Sequence, residues 1–189
     1  MNSQSIACLA QHFLIAMPQM DDDYFAQSLI YLIQHDTQGS MGLVVNRPAN
    51  FQLADVLQQL KPELASTSLA ERTRVYIGGP VEQERGLILH KKGTSFAHTL
   101  DIGTLCLTSS QDILHNIAKG EGPADCLIVL GYAGWSAQQL EDEIAANLWL
   151  VSKADTDIIF HVPAEQRRDL AAKAIGIDLT LLSPEVGRA

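Results

Sequence analysis

The run Cys126-Leu127-Ile128-Val129-Leu130-Gly131 carries no polar side chain. Successive side chains of a strand point to opposite faces, so a strand with one wet face alternates apolar and polar residues. An unbroken apolar run therefore reads as a central strand covered on both sides. Other short apolar runs, at 13–17 (closed by Pro18), 28–33, 42–46, 75–77, 86–90 and 103–108, read as further strands bounded by turn residues. The segments at 28–33 and 42–46 are predicted to form a hairpin with a long loop over 36–42. A strand is also predicted over 157–162.

Helices are fewer and shorter. Residues 53, 56, 57 and 60 are apolar, the spacing of a helix with one buried face. Ser109 with Asp112 predicts a helix start, running to about 118 and closed by Gly120. Ser136 and Gln139 form a capping box that opens a helix to about 148. Pro163 suits the first turn of a C-terminal helix closed by Gly176, and 62–73 reads as a polar linker loop. Strands and helices do not alternate strictly, so the predicted class is α+β with a mixed sheet rather than a doubly wound fold.

A chain of 189 residues with 47% hydrophobic and 19% charged residues has the composition of one ordinary globular domain. It can bury roughly two thirds of the surface of its unfolded chain. The three cysteines, 8, 106 and 126, are scattered and odd in number, which argues against a disulfide framework and for a reducing compartment. No basic stretch precedes the first apolar run, and no apolar run reaches the roughly 18 residues of a membrane helix. A soluble, cytoplasmic protein without membrane association is the expectation. The net charge of −9 disfavours broad affinity for nucleic acid. A local basic face around Arg72, Arg74, Arg85, Lys91 and Lys92 is either a solvated surface or a binding patch.

Candidate functional residues gather around glycine-bearing turns. Gly78-Gly79-Pro80 stops one strand before another that begins near Arg85 and ends on His90. Glycines at such points mark a sharp turn or close approach of another group. Alternation puts Arg85 and His90 on opposite faces unless a bulge intervenes, so they form one wall of a site rather than a catalytic pair. Asn46-Arg47-Pro48 holds the only basic side chain before Lys61 at a strand end, where an arginine is either salt-bridged or reads an anion. Residues 131–135, ending in Trp135, read as a loop between strand and helix. Glu143 falls near the apolar stripe of the following helix, where a polar residue bonds buried backbone or lines a pocket. His35 ends a strand beside Asp36. No GK[ST], GxGxxG, HExxH or GxSxG pattern is present, so no cofactor or metal is expected.

Several of these motifs in order resemble one bacterial family, the YqgE/AlgH proteins. They are Phe13-Leu14-Ile15-Ala16-Met17-Pro18, His35, Met41-Gly42-Leu43-Val44-Val45-Asn46-Arg47-Pro48, Gly78-Gly79-Pro80-Val81, Arg85-Gly86 with Leu89-His90, and Thr108-Ser109 with Asp112. Leu130-Gly131-Tyr132-Ala133-Gly134-Trp135, Gln139-Leu140-Glu141 with Glu143, and Asn147 with Trp149-Leu150 complete the set. The departures are Ser40 where the family often has Ala, Glu84 for Asp, and Gln138 for Gly. The resemblance implies a compact α+β fold with a mixed, partly barrel-like sheet packed by helices. It brings no catalytic or metal residue. The AlgH branch bears the label of a transcriptional regulator tied to alginate production, which names an effect in cells rather than a mechanism.

The leading expectation is a non-enzymatic regulatory or binding protein. Its small anionic ligand or protein partner would dock near His35, Asn46, Arg47, Gly78, Gly79, Arg85, His90, Trp135 and Glu143. The alternative is an enzyme with His35 or His90 as general base and Glu143 as acid or orienter, which requires those side chains to converge. Direct DNA binding would need a contiguous basic face, and nothing in the chain resembles a helix-turn-helix with a basic recognition helix.

Overall fold

The computed structural model describes residues 8–182. Its ten strands are β1 (His12–Ala16), β2 (Leu29–Asp36), β3 (Gly39–Val44), β4 (Pro48–Gln52), β5 (Arg74–Ile77), β6 (Val81–Lys91), β7 (Thr99–Ile102), β8 (Leu105–Thr108), β9 (Cys126–Ser136) and β10 (Trp149–Lys153). Seven α-helices accompany them: α1 (Leu53–Leu60), α2 (Pro62–Ala65), α3 (Ser68–Arg72), α4 (Gln111–Lys119), α5 (Gln139–Ala145), α6 (Thr156–His161) and α7 (Ala164–Ala174). The sheet runs β10-β1-β2-β3-β9-β6-β8-β7, with β4 attached to β5 and β5 to β9.

The apolar run at 126–131 is indeed central. Its strand, β9, has three partners. Ile128, Val129 and Leu130 run parallel to Val75, Tyr76 and Ile77 of β5, while Cys126 to Leu130 lie antiparallel to the second half of β6. Beyond Gly131 the same strand pairs with Gly39, Ser40, Met41 and Gly42 of β3. One strand thus joins both halves of a sheet that curls into a half-barrel packed by helices, and the class is α+β.

Alternation along the strands divides the interior into three cores. Leu127 and Val129 join Phe13, Ile15, Leu87 and Leu89 beneath α6 and α7. Their neighbour Ile128 faces the other way, onto Ile88, Val75, Leu53, Leu57 and Ile113 of the α1–α4 layer. Leu14, Ile30, Val44, Trp135 and Trp149 form the third core with Leu140 of α5. Each fully buried aliphatic side chain contributes roughly 1.5–3 kcal/mol.

The structure corrects several expectations. The hairpin loop is short: β2 continues to Asp36 and β3 starts at Gly39, with Asp36 Oδ1 accepting from the Gln38 amide at 2.7 Å. The supposed linker over 62–73 folds as α2 and α3. Thr67 Oγ1 caps α3 by accepting from the Ala70 amide at 3.2 Å, and only the small Ala65 and Ala70 are buried, too little for a visible period. The segment 157–162 is helix α6, not a strand. Asp155 caps it through the Asp157 amide at 2.9 Å, and the three-residue apolar run Ile158-Ile159-Phe160 is too short to have a period that separates helix from strand.

Helix α4 starts one residue later than expected, with Ser110 rather than Ser109 at its cap position. Helix α5 stops at Ala145 because Asn147 adopts a left-handed φ of +57°, which asparagine tolerates. That stop frees Trp149 to Lys153 to become β10, an element that the sequence pattern does not announce, and the same is true of β7. Residues 131–135 belong to β9 and not to a loop. Just before α5, Gln138 has φ +69°, a left-handed conformation that glycine adopts without strain. Gln138→Gly is expected to stabilise the protein by about 1 kcal/mol. Thermal unfolding followed by circular dichroism should show a rise of about 2–4 °C; a fall would mean that the glutamine side chain contributes more than its backbone costs.

Candidate ligand-binding cleft

His35, Trp135 and Glu143 lie around the contact between α5 and the sheet. His35 Nδ1 is 2.8 Å from Ser40 Oγ across the β2–β3 hairpin, while its Nε2 lies 3.6 Å from Glu141 Oε1, too far for a hydrogen bond. Ser40 gives this buried histidine its polar partner. Glu143 Oε2 accepts from the indole N–H of both Trp135 and Trp149 at 2.8 Å, and Oε1 accepts from Gln139 Nε2 at 2.9 Å. Phe25 stacks on Trp135 with centroids 6.1 Å apart. The Glu143 carboxylate is therefore engaged in holding α5 to two tryptophans.

His90 is in another place. It is buried on β6 between Cys106 of β8 and Cys126 of β9. Its Nδ1 lies 2.8 Å from the Lys91 carbonyl, which can only accept, so Nδ1 carries the proton. Its Nε2 lies 2.8 Å from Thr108 Oγ1. Burial pushes the Cys126 thiol up to about 11 and also raises Cys106, so both flanking groups are thiols at neutral pH. No group of three His, Cys, Asp or Glu side chains suited to a metal occurs among the described residues. His35, His90 and Glu143 each have separate partners, and no hydrogen bond or ion pair joins any two of them among the described residues.

The glycine pair stitches strands together. Gly78 donates to the Leu130 carbonyl and accepts from the Val44 amide, both at 2.8 Å. Arg85 is half exposed and paired with Glu82 at 2.8 Å, in the stretch of β6 between Val81 and Gly86 where the pairing with β9 shifts register and simple alternation no longer holds. It borders a shallow groove of about 280 Å³ with Val56, Leu60, Leu130 and Ser110.

Arg47 lies in a different cleft, of about 340 Å³, where the chain leaves β3 and meets α7. Asn46 builds one wall: its Oδ1 accepts from the Leu29 amide at 2.7 Å and its Nδ2 donates to the Gln27 carbonyl at 2.9 Å. Gln27 is held there at φ +60°, the kind of local strain that persists only where surroundings enforce it. Arg47 itself makes one long bond, from Nη2 to the Ala26 carbonyl at 3.4 Å. The other wall is α7, which contributes Glu165, Arg168 and Asp169. Arg168 is fixed by Nε and Nη2 donating to the Ala16 carbonyl at 3.0 and 2.7 Å, with Nη1 4.0 Å from Asp169. Burial pulls the Arg168 guanidinium below its ordinary range, with Asp169 opposing. Sequence reasoning missed these three residues, although their i, i+3, i+4 spacing places them on one helix face.

The structure brings Asn46 and Arg47 together in this cleft, puts Arg85 on a separate groove, and places His35, Trp135 and Glu143 at the α5 contact. It defines an α+β protein with a curled mixed sheet and a charged cleft where β3 ends. The AlgH-like family model matches residues 13–180, and the chain belongs to that family. It is 48% identical to the UPF0301 protein AlgH of Pseudomonas aeruginosa (strain PAO1) and 50% identical to a UPF0301 protein of Stutzerimonas stutzeri, over the full length of each. The solution structure of AlgH from Pseudomonas aeruginosa superposes with a TM-score of 0.81 over the whole of both chains. A crystal structure of a protein from Corynebacterium diphtheriae, 19% identical, shares the fold with a TM-score of 0.70 over 93% of this chain and 91% of that one.

Proposed function

We propose that the protein is a cytoplasmic, non-enzymatic binding protein whose site is the Arg47–Arg168 cleft, and that it influences transcription indirectly through what it binds. The observation that carries this reading is the state of Arg47. Its guanidinium has five donors, makes one 3.4 Å bond to a carbonyl, and has no carboxylate within ion-pair distance among the described residues. The cleft around it is already formed, because Asn46 clamps one wall and Arg168 is anchored on the other. A pre-formed polar cleft lowers the ordering cost of binding.

The separate partners of His35, His90 and Glu143 favour binding over acid–base catalysis. Direct DNA contact is disfavoured by the charge distribution. Arg85, Lys91 and Lys92, expected as part of a basic face, are paired with Glu82, Asp125 and Asp101. No described helix is long and apolar enough to cross a membrane.

A thermal-shift panel of small charged compounds against the wild-type chain and Arg47→Ala tests the reading. A cleft ligand at 100 times its Kd is expected to stabilise the wild type by about 2.7 kcal/mol, and Arg47→Ala is expected to weaken its binding at least about tenfold. Unchanged affinity of Arg47→Ala for every compound that binds would refute the assignment of the site.

A further inference from the structure

We infer that the Arg47–Arg168 cleft takes a small zwitterion, a free amino acid or the doubly charged backbone of a short peptide; this rests on the binding reading above. Two guanidinium groups and two carboxylates line the cleft, so its formal charge is zero. The charges are not used up on one another. Arg168 is anchored to the Ala16 carbonyl and faces Asp169 loosely at 4.0 Å. Arg47 and Glu165 have no ion-pair partner among the described residues, although both line the same space. An unpaired cation and an unpaired anion in one cleft match a ligand that carries both signs.

The alternatives fit less well. A phosphate or dicarboxylate drawn to the arginines would sit beside Glu165 and Asp169, where like charges repel in a partly desolvated space. A simple cation would meet the two guanidinium groups. The volume of about 340 Å³ lies at the small end for ligand pockets, which suits an amino-acid-sized molecule. In the zwitterion pose the carboxylate accepts from Arg47, in the two-donor geometry that guanidinium favours. The ammonium group donates to Glu165, and the Gln27 and Asn46 side chains border the same space.

Backbone amide chemical-shift titration of the full chain decides the matter. The probes are the twenty common amino acids added singly, diglycine, the N-acetyl and methyl-ester forms of each binder, and inorganic phosphate. At least one free amino acid or diglycine is expected to shift the amides of Gln27, Asn46, Arg47 and Asp169 saturably. Acetylation or esterification should each weaken it tenfold or more. Glu165→Gln, an exposed change, should weaken the free form tenfold while leaving the weaker affinity for the N-acetyl form unchanged. Phosphate or an N-acetyl amino acid binding as tightly as the free form would overturn the zwitterion and leave an anion cleft standing. Silence of those amides toward every amino acid and diglycine overturns the inference as well, while the Arg47→Ala panel judges the cleft itself.

Discussion

Gly79→Ala is expected to cost a large share of the stability of this protein. Gly79 has φ +156°, a conformation that side-chain-bearing residues rarely adopt, and its backbone runs directly against β9. A Cβ there would lie 2.1 Å from the Tyr132 carbonyl carbon, 2.2 Å from its oxygen and 2.4 Å from the Ala133 nitrogen. All three are main-chain atoms, so no rotamer change relieves the overlap. Relief requires moving the 78–80 turn away from β9. That movement breaks the Gly78–Leu130 and Val44–Gly78 hydrogen bonds and the Val81–Tyr132 pairing. Strain plus overpacking amounts to roughly 2–6 kcal/mol, against about 5–15 kcal/mol for a whole domain. Urea denaturation should show a large drop in midpoint or no folded baseline. Gly93→Ala is the control: a methyl group at that position would have nothing within 4 Å, and its effect should stay within about 0.5 kcal/mol. A Gly79→Ala variant with the wild-type midpoint would mean that the turn and β9 are not packed as described.

The same glycine pair shows what a sequence can and cannot say about this fold. Glycine and proline punctuation announced the turn at 78–80, and continuous hydrophobicity announced the centrality of 126–131, because both are local consequences of one strand's environment. The edge strands β7 and β10 were silent for the opposite reason. Each is four or five residues long and paired on one side, so its identity depends on a neighbour distant in sequence rather than on its own pattern. Helix α6 misled because DIIFHV is β-like in composition, and only the Asp155 cap and the packing of Ile158 and Ile159 decide for helix.

The site was half legible. Asn46-Arg47-Pro48 attracted notice as a lone basic group at a strand end, and that end does border a cleft. The opposite wall comes from residues more than a hundred positions later, and no local pattern links the two. Trp135 just past a predicted strand and Glu143 near the apolar stripe of the next helix are separate signals in the sequence, and in the structure they are one contact: a carboxylate shared by two indoles.

Arg167 joins those two walls, and its replacement is the second change expected to have a large effect. It is 4% exposed, one residue before Arg168, and faces inward from α7. Its Nε donates to the Val162 carbonyl at 2.8 Å, Nη1 to the Val45 carbonyl, and Nη2 to the Tyr76 hydroxyl at 3.3 Å, with the guanidinium 5.1 Å from the Tyr76 ring centre. Val45 immediately precedes Asn46 and Arg47, so a single side chain ties the end of β3 to the helix that supplies Glu165, Arg168 and Asp169. Arg167→Met keeps the apolar stem and removes the donors. Removing a buried charge is favourable in itself, but the Val45 and Val162 carbonyls stay behind, each costing about 1–3 kcal/mol if left unsatisfied. The carbonyls decide the sign, and a net loss of roughly 2–4 kcal/mol is expected, lowering Tm by on the order of 10 °C. Arg167→Lys should not rescue it, because one ammonium group cannot span three acceptors that a planar fork reaches. A double-mutant cycle with Tyr76→Phe should return a coupling of about 0.5–3 kcal/mol. If Arg167→Met melted with the wild type and showed no coupling to Tyr76, the guanidinium would not be the link between the walls, and the cleft would owe its shape to packing alone.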